Sequence, residues 1–179
     1  MLALFQQLFA DVKNNIHDSA DNIRAELTKA IGAATMNVIV ADDDDDDYEF
    51  FSEAMCSIMP GIQVKRACDG VELISLLENL QQNMNPNVIF LDLNMPFKNG
   101  FECLDIIKHS KTWKDIPVII YSTSANTEQV DLTYRNGANL YVQKPNSFVD
   151  IKKIVKRIFE LGIQELSSQP AKEKYILKL

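Results

Sequence analysis

From Asn37 onward the chain alternates short apolar runs with longer stretches in which apolar residues return every third or fourth position. Val38 to Ala41, Ile62 to Cys68, Val88 to Leu91, Ile116 to Tyr121 and Leu140 to Val142 are brief and bounded by breakers, which predicts strands. Between them, Asp47 to Met59 places Phe50, Phe51, Ala54, Met55 and Ile58 at helical spacing and stops at Pro60-Gly61. Val71, Leu73, Ile74, Leu77 and Leu80 predict a second helix, and Phe101, Cys103, Leu104 and Ile107 a third. A fourth runs from Glu128 to Asn136 before Gly137, and Phe148 to Leu161 carries the last stripe. Strand-helix alternation of this kind calls for a parallel sheet with helices on both faces, joined by right-handed crossovers.

Two segments fall outside that rhythm. Residues 1 to about 34 put Phe5, Leu8, Phe9, Val12, Ile16, Ile23, Leu27 and Ile31 on one stripe of an amphipathic helix ending near Gly32. The stripe is open to three readings: it packs on the rest of the chain, it pairs with a second copy to make a homodimer, or it is a divergent extension before a core that starts at Met36. Its acids outnumber its bases, which weighs against a membrane-surface helix. Residues 163 to 179 contain Ser167-Ser168-Gln169-Pro170, too polar for a core, and then Tyr175-Ile176-Leu177, expected to dock as a short strand or helix. The chain therefore divides into an extension (1–35), an α/β domain (36–162) and a tail (163–179).

Where the strands end, the chemistry changes. The first runs into Asp42 and Asp43, the third into Asp92, the fourth into Ser122 and Thr123, and the fifth into Lys144-Pro145. In open α/β sheets the carboxyl ends of the strands are where ligands bind. Gathering three carboxylates there is costly, since two unit charges about 4 Å apart repel by roughly 4 kcal/mol at an effective dielectric of 20. A divalent cation reverses the sign. Two acids, a third acid, a hydroxyl and a lysine on one edge suit a phosphoryl group with such a cation.

Bulk properties narrow the field. The 179 residues are 46% hydrophobic and 24% charged, which fits one ordinary domain with appendages. A net charge of −7 argues against nucleic acid as a direct partner, because duplex binding relies on Lys and Arg. No apolar run reaches the length of a bilayer span, and Met1 to Phe5 lacks the positive charge that precedes a secretory signal, so a cytoplasmic protein is expected. Cys56, Cys68 and Cys103 are odd in number and widely spaced, and read as small buried hydrophobes in a reducing compartment rather than as zinc ligands.

The order acid pair, Asp with Met95-Pro96 and Gly100 behind it, Ser, then Lys-Pro resembles the receiver domain of two-component response regulators, over roughly residues 36 to 162. The resemblance implies a flavodoxin-like, doubly wound, five-stranded parallel sheet of order 2-1-3-4-5. It implies that Asp92 accepts a phosphoryl group, with Mg²⁺ held by Asp43 and Asp92 directly, by Asp42 through water and by the Asn94 backbone carbonyl. Lys144 would neutralise phosphoryl charge, with the cis-favouring Pro145 aiming it, and Ser122 would hydrogen-bond a phosphoryl oxygen. Tyr141 would swing inward and remodel the face formed by the fourth helix, fifth strand and fifth helix, altering the binding of a downstream protein. The phosphodonor would be a histidine kinase or histidine phosphotransfer protein.

Rival readings fit the same residues less well. A haloacid-dehalogenase-type phosphohydrolase would need an aspartate two residues after the nucleophile, where Asn94 stands, and would put its acid pair late in the chain. A degenerate receiver serving only as a docking module conflicts with the intact Asp92, Ser122 and Lys144. An EF-hand starting at Asp42 would need glycine where Asp47 sits. Asp44 to Asp47 are expected instead to solvate the loop and to charge the start of the following helix.

Overall fold

A computed structural model describes residues 36–80 and 86–178, of which the side chains of residues 163 and 164 are excepted. The expected helix over the first 34 residues lies outside the described residues, as does the segment 81–85.

Five strands appear where the apolar runs predicted them: β1 (Asn37–Ala41), β2 (Gln63–Ala67), β3 (Val88–Leu91), β4 (Val118–Ser122) and β5 (Leu140–Gln143). The helices between and after them are α1 (Asp45–Ile58), α2 (Gly70–Glu78), α3 (Gly100–His109), α4 (Thr127–Arg135) and α5 (Phe148–Leu161). All neighbouring strands pair in parallel, in the order β2-β1-β3-β4-β5 followed by a sixth strand, β6 (Ile176–Leu177). The expectation of five strands is thereby corrected. A two-residue strand leaves no period for a sequence pattern to show, and β6 forms only because β5 offers it an unpaired edge.

The period of two along each strand divides the core into two layers. Val38, Val40, Phe90, Ile119, Tyr121 and Val142 face Phe51 and Met55 of α1 and Ile154 and Ile158 of α5. Ile39, Ala41, Ile89, Leu91, Ile120 and Tyr141 face Leu73 and Leu77 of α2, Leu104 and Ile107 of α3 and Val130 of α4. Each fully buried side chain of this size contributes about 1.5–3 kcal/mol, so the central strands are fixed in register by both faces at once. Not every stripe residue goes inside. Phe50 and Val71 are exposed, at the rims of α1 and α2.

The helix starts are set by local polar chemistry. Asp44 caps α1 by accepting the Asp47 N–H at 2.9 Å, Asp69 caps α2, and Asn99 with Glu102 forms a reciprocal capping box on α3. Gly100 allows α3 to begin hard against β3, since a Cβ there would collide with the Asp92 carbonyl oxygen. The cysteine expectation holds only for Cys103, which is buried. Cys56 and Cys68 are exposed, because position 56 falls on the outer face of α1 and position 68 just beyond the end of β2.

Candidate functional site

Because all the strands run the same way, the residue following each one emerges at a single edge, and three of these residues are still held by the sheet's own hydrogen bonds. The Asp42 N–H donates to the Ala67 carbonyl at 3.0 Å, that of Asp92 to Ala41 at 2.9 Å, and that of Lys144 to Ser122 at 2.9 Å. Their backbones are thus locked in the ladder while their side chains reach past it. The strand order reverses between β1 and β3, with β2 outside the one and β4 outside the other, and the acids sit in that crevice.

The carboxylates of Asp42, Asp43 and Asp92 bring one oxygen each to within 4.8 Å of one another. Lys144 Nζ donates to Asp42 Oδ2, Asp92 Oδ2 and Asp47 Oδ2, at 2.8 Å in each case. An ammonium has three donors, and here each meets a different carboxylate. Burial pushes the Asp42 carboxyl up to about 6, with Lys144 working in the opposite direction. Burial alone would make Lys144 give up its proton more readily, but its bonds to the carboxylates prevail and hold it charged. The donor set is all oxygen, closely gathered and partly buried, which fits a small hard divalent cation such as Mg²⁺.

Ser122 ends β4 fully buried, and its Oγ lies near the Tyr141 hydroxyl without forming a well-directed hydrogen bond. Asn94 is exposed in the loop after β3, with its N–H donating to Asp92 Oδ1 at 3.2 Å. Tyr141, expected to swing inward on phosphorylation, stands on β5. It is already buried, with its hydroxyl donating to the Ser124 carbonyl at 2.6 Å, and burial pushes its phenol up to about 12. No cis peptide occurs among the described residues, so the expected role of a cis Pro145 is corrected. Lys144 is aimed inward by the ladder bond of its own N–H and by the carboxylates it meets.

Two features escaped the sequence reading. Asp47, expected to solvate the loop, is a direct partner of Lys144. The available signal was Asp44 as helix cap, which puts residue 47 in the first turn above the crevice. The other is where the tail docks: the expected short strand forms on β5, and the segment covers the α4–β5 side. The Tyr141 N–H donates to the Tyr175 carbonyl at 2.8 Å, and the buried Tyr175 ring packs edge-to-face on Tyr134 of α4. Gln169 Nε2 donates to the Ala138 carbonyl at 3.0 Å, Lys172 pairs with Asp131 of α4, and Arg157 of α5 donates to the Lys178 carbonyl.

Comparison with known proteins agrees with this geometry. Residues 38–156 match the response regulator receiver domain family. The response regulator Rcp1 of Synechocystis sp. is 30% identical over 133 residues, covering 73% of this chain and 90% of that protein. Among solved structures, the phosphorylated cyanobacterial phytochrome response regulator RcpA superposes with a TM-score of 0.66 at 32% identity, over 72% of this chain and 94% of that one. The Mn²⁺-bound form of Rcp1 gives 0.64 at 29% identity, over 76% and 99%. With the strand order, the acid-lined crevice and the inward lysine already in place, these matches make the chain a member of the response regulator receiver domain family of two-component signalling.

Proposed function

We propose that this receiver accepts a phosphoryl group on Asp92 from a phosphohistidine donor, a histidine kinase or a histidine phosphotransfer protein, and passes the signal on by changing its contacts with a downstream protein. The observation that carries the reading is the approach of Lys144 Nζ to Asp92 Oδ2 at 2.8 Å, beside a cluster of carboxylates suited to a cation.

The carboxylate of Asp92, whose side chain is only 7% exposed, is the nucleophile. One of its oxygens forms a bond to phosphorus as the phosphorus–nitrogen bond of the donor breaks and the imidazole leaves with the electron pair. Held by Asp42, Asp43, Asp92 and the Asn94 backbone carbonyl, Mg²⁺ would neutralise charge on the transferring oxygens. Lys144 exchanges its bond to Asp92 for one to a phosphoryl oxygen. The Ser122 hydroxyl donates to a second such oxygen, which gives a buried polar group the well-directed hydrogen bond it lacks. Mn²⁺ in the similar Rcp1 structure supports a divalent cation at this edge.

Tyr141 links the crevice to the outer surface. Its hydroxyl bonds the carbonyl of Ser124, two residues beyond Ser122, and its ring faces Tyr175. A downstream partner approaching the α4–β5–α5 side therefore meets the C-terminal segment as well as the helices. The phosphohydrolase alternative gains nothing from the geometry, as Asn94 cannot serve as the second acid. Among the described residues no helix is long and apolar enough to cross a membrane, and a cytoplasmic site of action accords with a phosphohistidine donor.

The test is intact-mass analysis after incubation with acetyl phosphate and Mg²⁺. One phosphoryl adduct is expected on the unmodified protein and none on Asp92→Asn. Equal labelling of the two would overturn the assignment.

A further inference from the structure

Lys144 spends its three donors on Asp42, Asp92 and Asp47, but these partners are not equivalent. Asp42 and Asp92 belong to the carboxylate cluster, and Asp92 is the proposed phosphoacceptor, so their oxygens have other calls on them once a cation and a phosphoryl group are present. Asp47 stands outside that cluster, in the first turn of α1, with its side chain 41% exposed. Its own N–H is bonded to the Asp44 cap at 2.9 Å, which fixes the base of the side chain.

We infer that Asp47 is a positioning residue for phosphoryl transfer: its carboxylate keeps hold of Lys144 at the crevice rim while the lysine exchanges its other two partners. The inference rests on the reading of Asp92 as phosphoacceptor. Its physical basis is that a lysine side chain is flexible and loses rotamer freedom when it is fixed. A partner that survives the exchange leaves less of that cost to be met when the phosphoryl group arrives. One donor bound to Asp47 still leaves two that can turn from Asp42 and Asp92 to phosphoryl oxygens.

Charge must be separated from positioning, because any acid near an anionic ligand also repels it. Asp47→Asn and Asp47→Ala remove the same charge, but only asparagine keeps an oxygen that can accept from Lys144. The experiment measures beryllofluoride affinity in saturating Mg²⁺ for both variants, in the unmodified background and with Lys144→Ala, alongside thermal unfolding. The alanine variant is expected to bind at least threefold more weakly than the asparagine variant, and the difference is expected to vanish without Lys144. Equal affinities, tighter binding by the alanine variant, or a difference that persists without Lys144 would overturn the inference. If the unmodified protein fails to bind beryllofluoride with Mg²⁺, the phosphoacceptor reading falls first and this inference with it.

Discussion

Tyr175 lies edge-to-face against Tyr141, with ring centroids 6.1 Å apart, and accepts its backbone N–H at 2.8 Å. One contact thus joins the C-terminal segment to the aromatic residue that stands between the crevice and the outer face. The Tyr175 hydroxyl also donates to Thr133 Oγ1 at 3.0 Å inside the core. The segment that reads as a polar tail is therefore anchored by a fully buried aromatic ring.

Tyr175→Ala should lower unfolding stability by about 3–5 kcal/mol, the usual cost of deleting a buried aromatic side chain. Tyr175→Phe keeps the ring and loses only the bond to Thr133, for about 1 kcal/mol. Urea unfolding of the two variants checks the order. A small effect of Tyr175→Ala would mean that the segment is only loosely docked.

Removing the lysine should expose the repulsion it offsets. Lys144→Ala leaves buried carboxylates uncompensated, and breaking such a group costs about 3–5 kcal/mol. Mg²⁺ can replace the missing charge, and a ligand at a hundred times its Kd stabilises the folded state by about 2.7 kcal/mol. The gap between variant and unmodified protein should therefore be wide in EDTA and narrower in Mg²⁺, as read by urea unfolding in each buffer. A gap unchanged by the metal would count against a cation site among these acids.

Ser122→Ala should separate stability from ligand binding. The Ser122 hydroxyl is buried without a well-directed hydrogen bond, so its removal should leave unfolding stability equal or raised by about 1 kcal/mol. The same change should weaken beryllofluoride binding about tenfold or more, since a hydrogen bond to a charged group contributes about 1.5–3 kcal/mol. Loss of both properties together would show that the hydroxyl has a structural partner.

A second lysine, half-buried, gives a pH signature away from the crevice. Lys108 Nζ donates to the Ile116 carbonyl at 2.8 Å and to Asn139 Oδ1 at 2.9 Å, and burial lowers its pKa from 10.5 to about 8. Between those values the unfolded chain binds more protons than the folded one, so the contribution of this group to stability rises with pH from about 8 to 10.5. Subtracting the profile of Lys108→Met should isolate that rise in urea unfolding across the alkaline range. A difference flat with pH would mean that Lys108 keeps its ordinary pKa.

What the sequence determined by itself follows from short-range pattern. Runs such as Val88 to Leu91 and stripes such as Phe51, Ala54 and Met55 have periods that report which sides of each element must be buried, so element type and the parallel alternation were legible. The residues Asp42, Asp43, Asp92, Ser122 and Lys144 were legible because each terminates or follows an apolar run, and a parallel sheet sends all those ends to one edge. Tertiary structure alone decided the rest. Asp47 looks like its neighbours in the acidic run until α1 packs against α5 and the fold brings its first turn within reach of Lys144 at the end of β5. Tyr175 sits in a stretch with no period, and only the free edge of β5 and the space beside Tyr134 and Tyr141 give it a place in the core. Periodicity records the neighbours a residue has along its own element, whereas these two contacts join residues brought together across the fold, where distance and vacancy decide the partner.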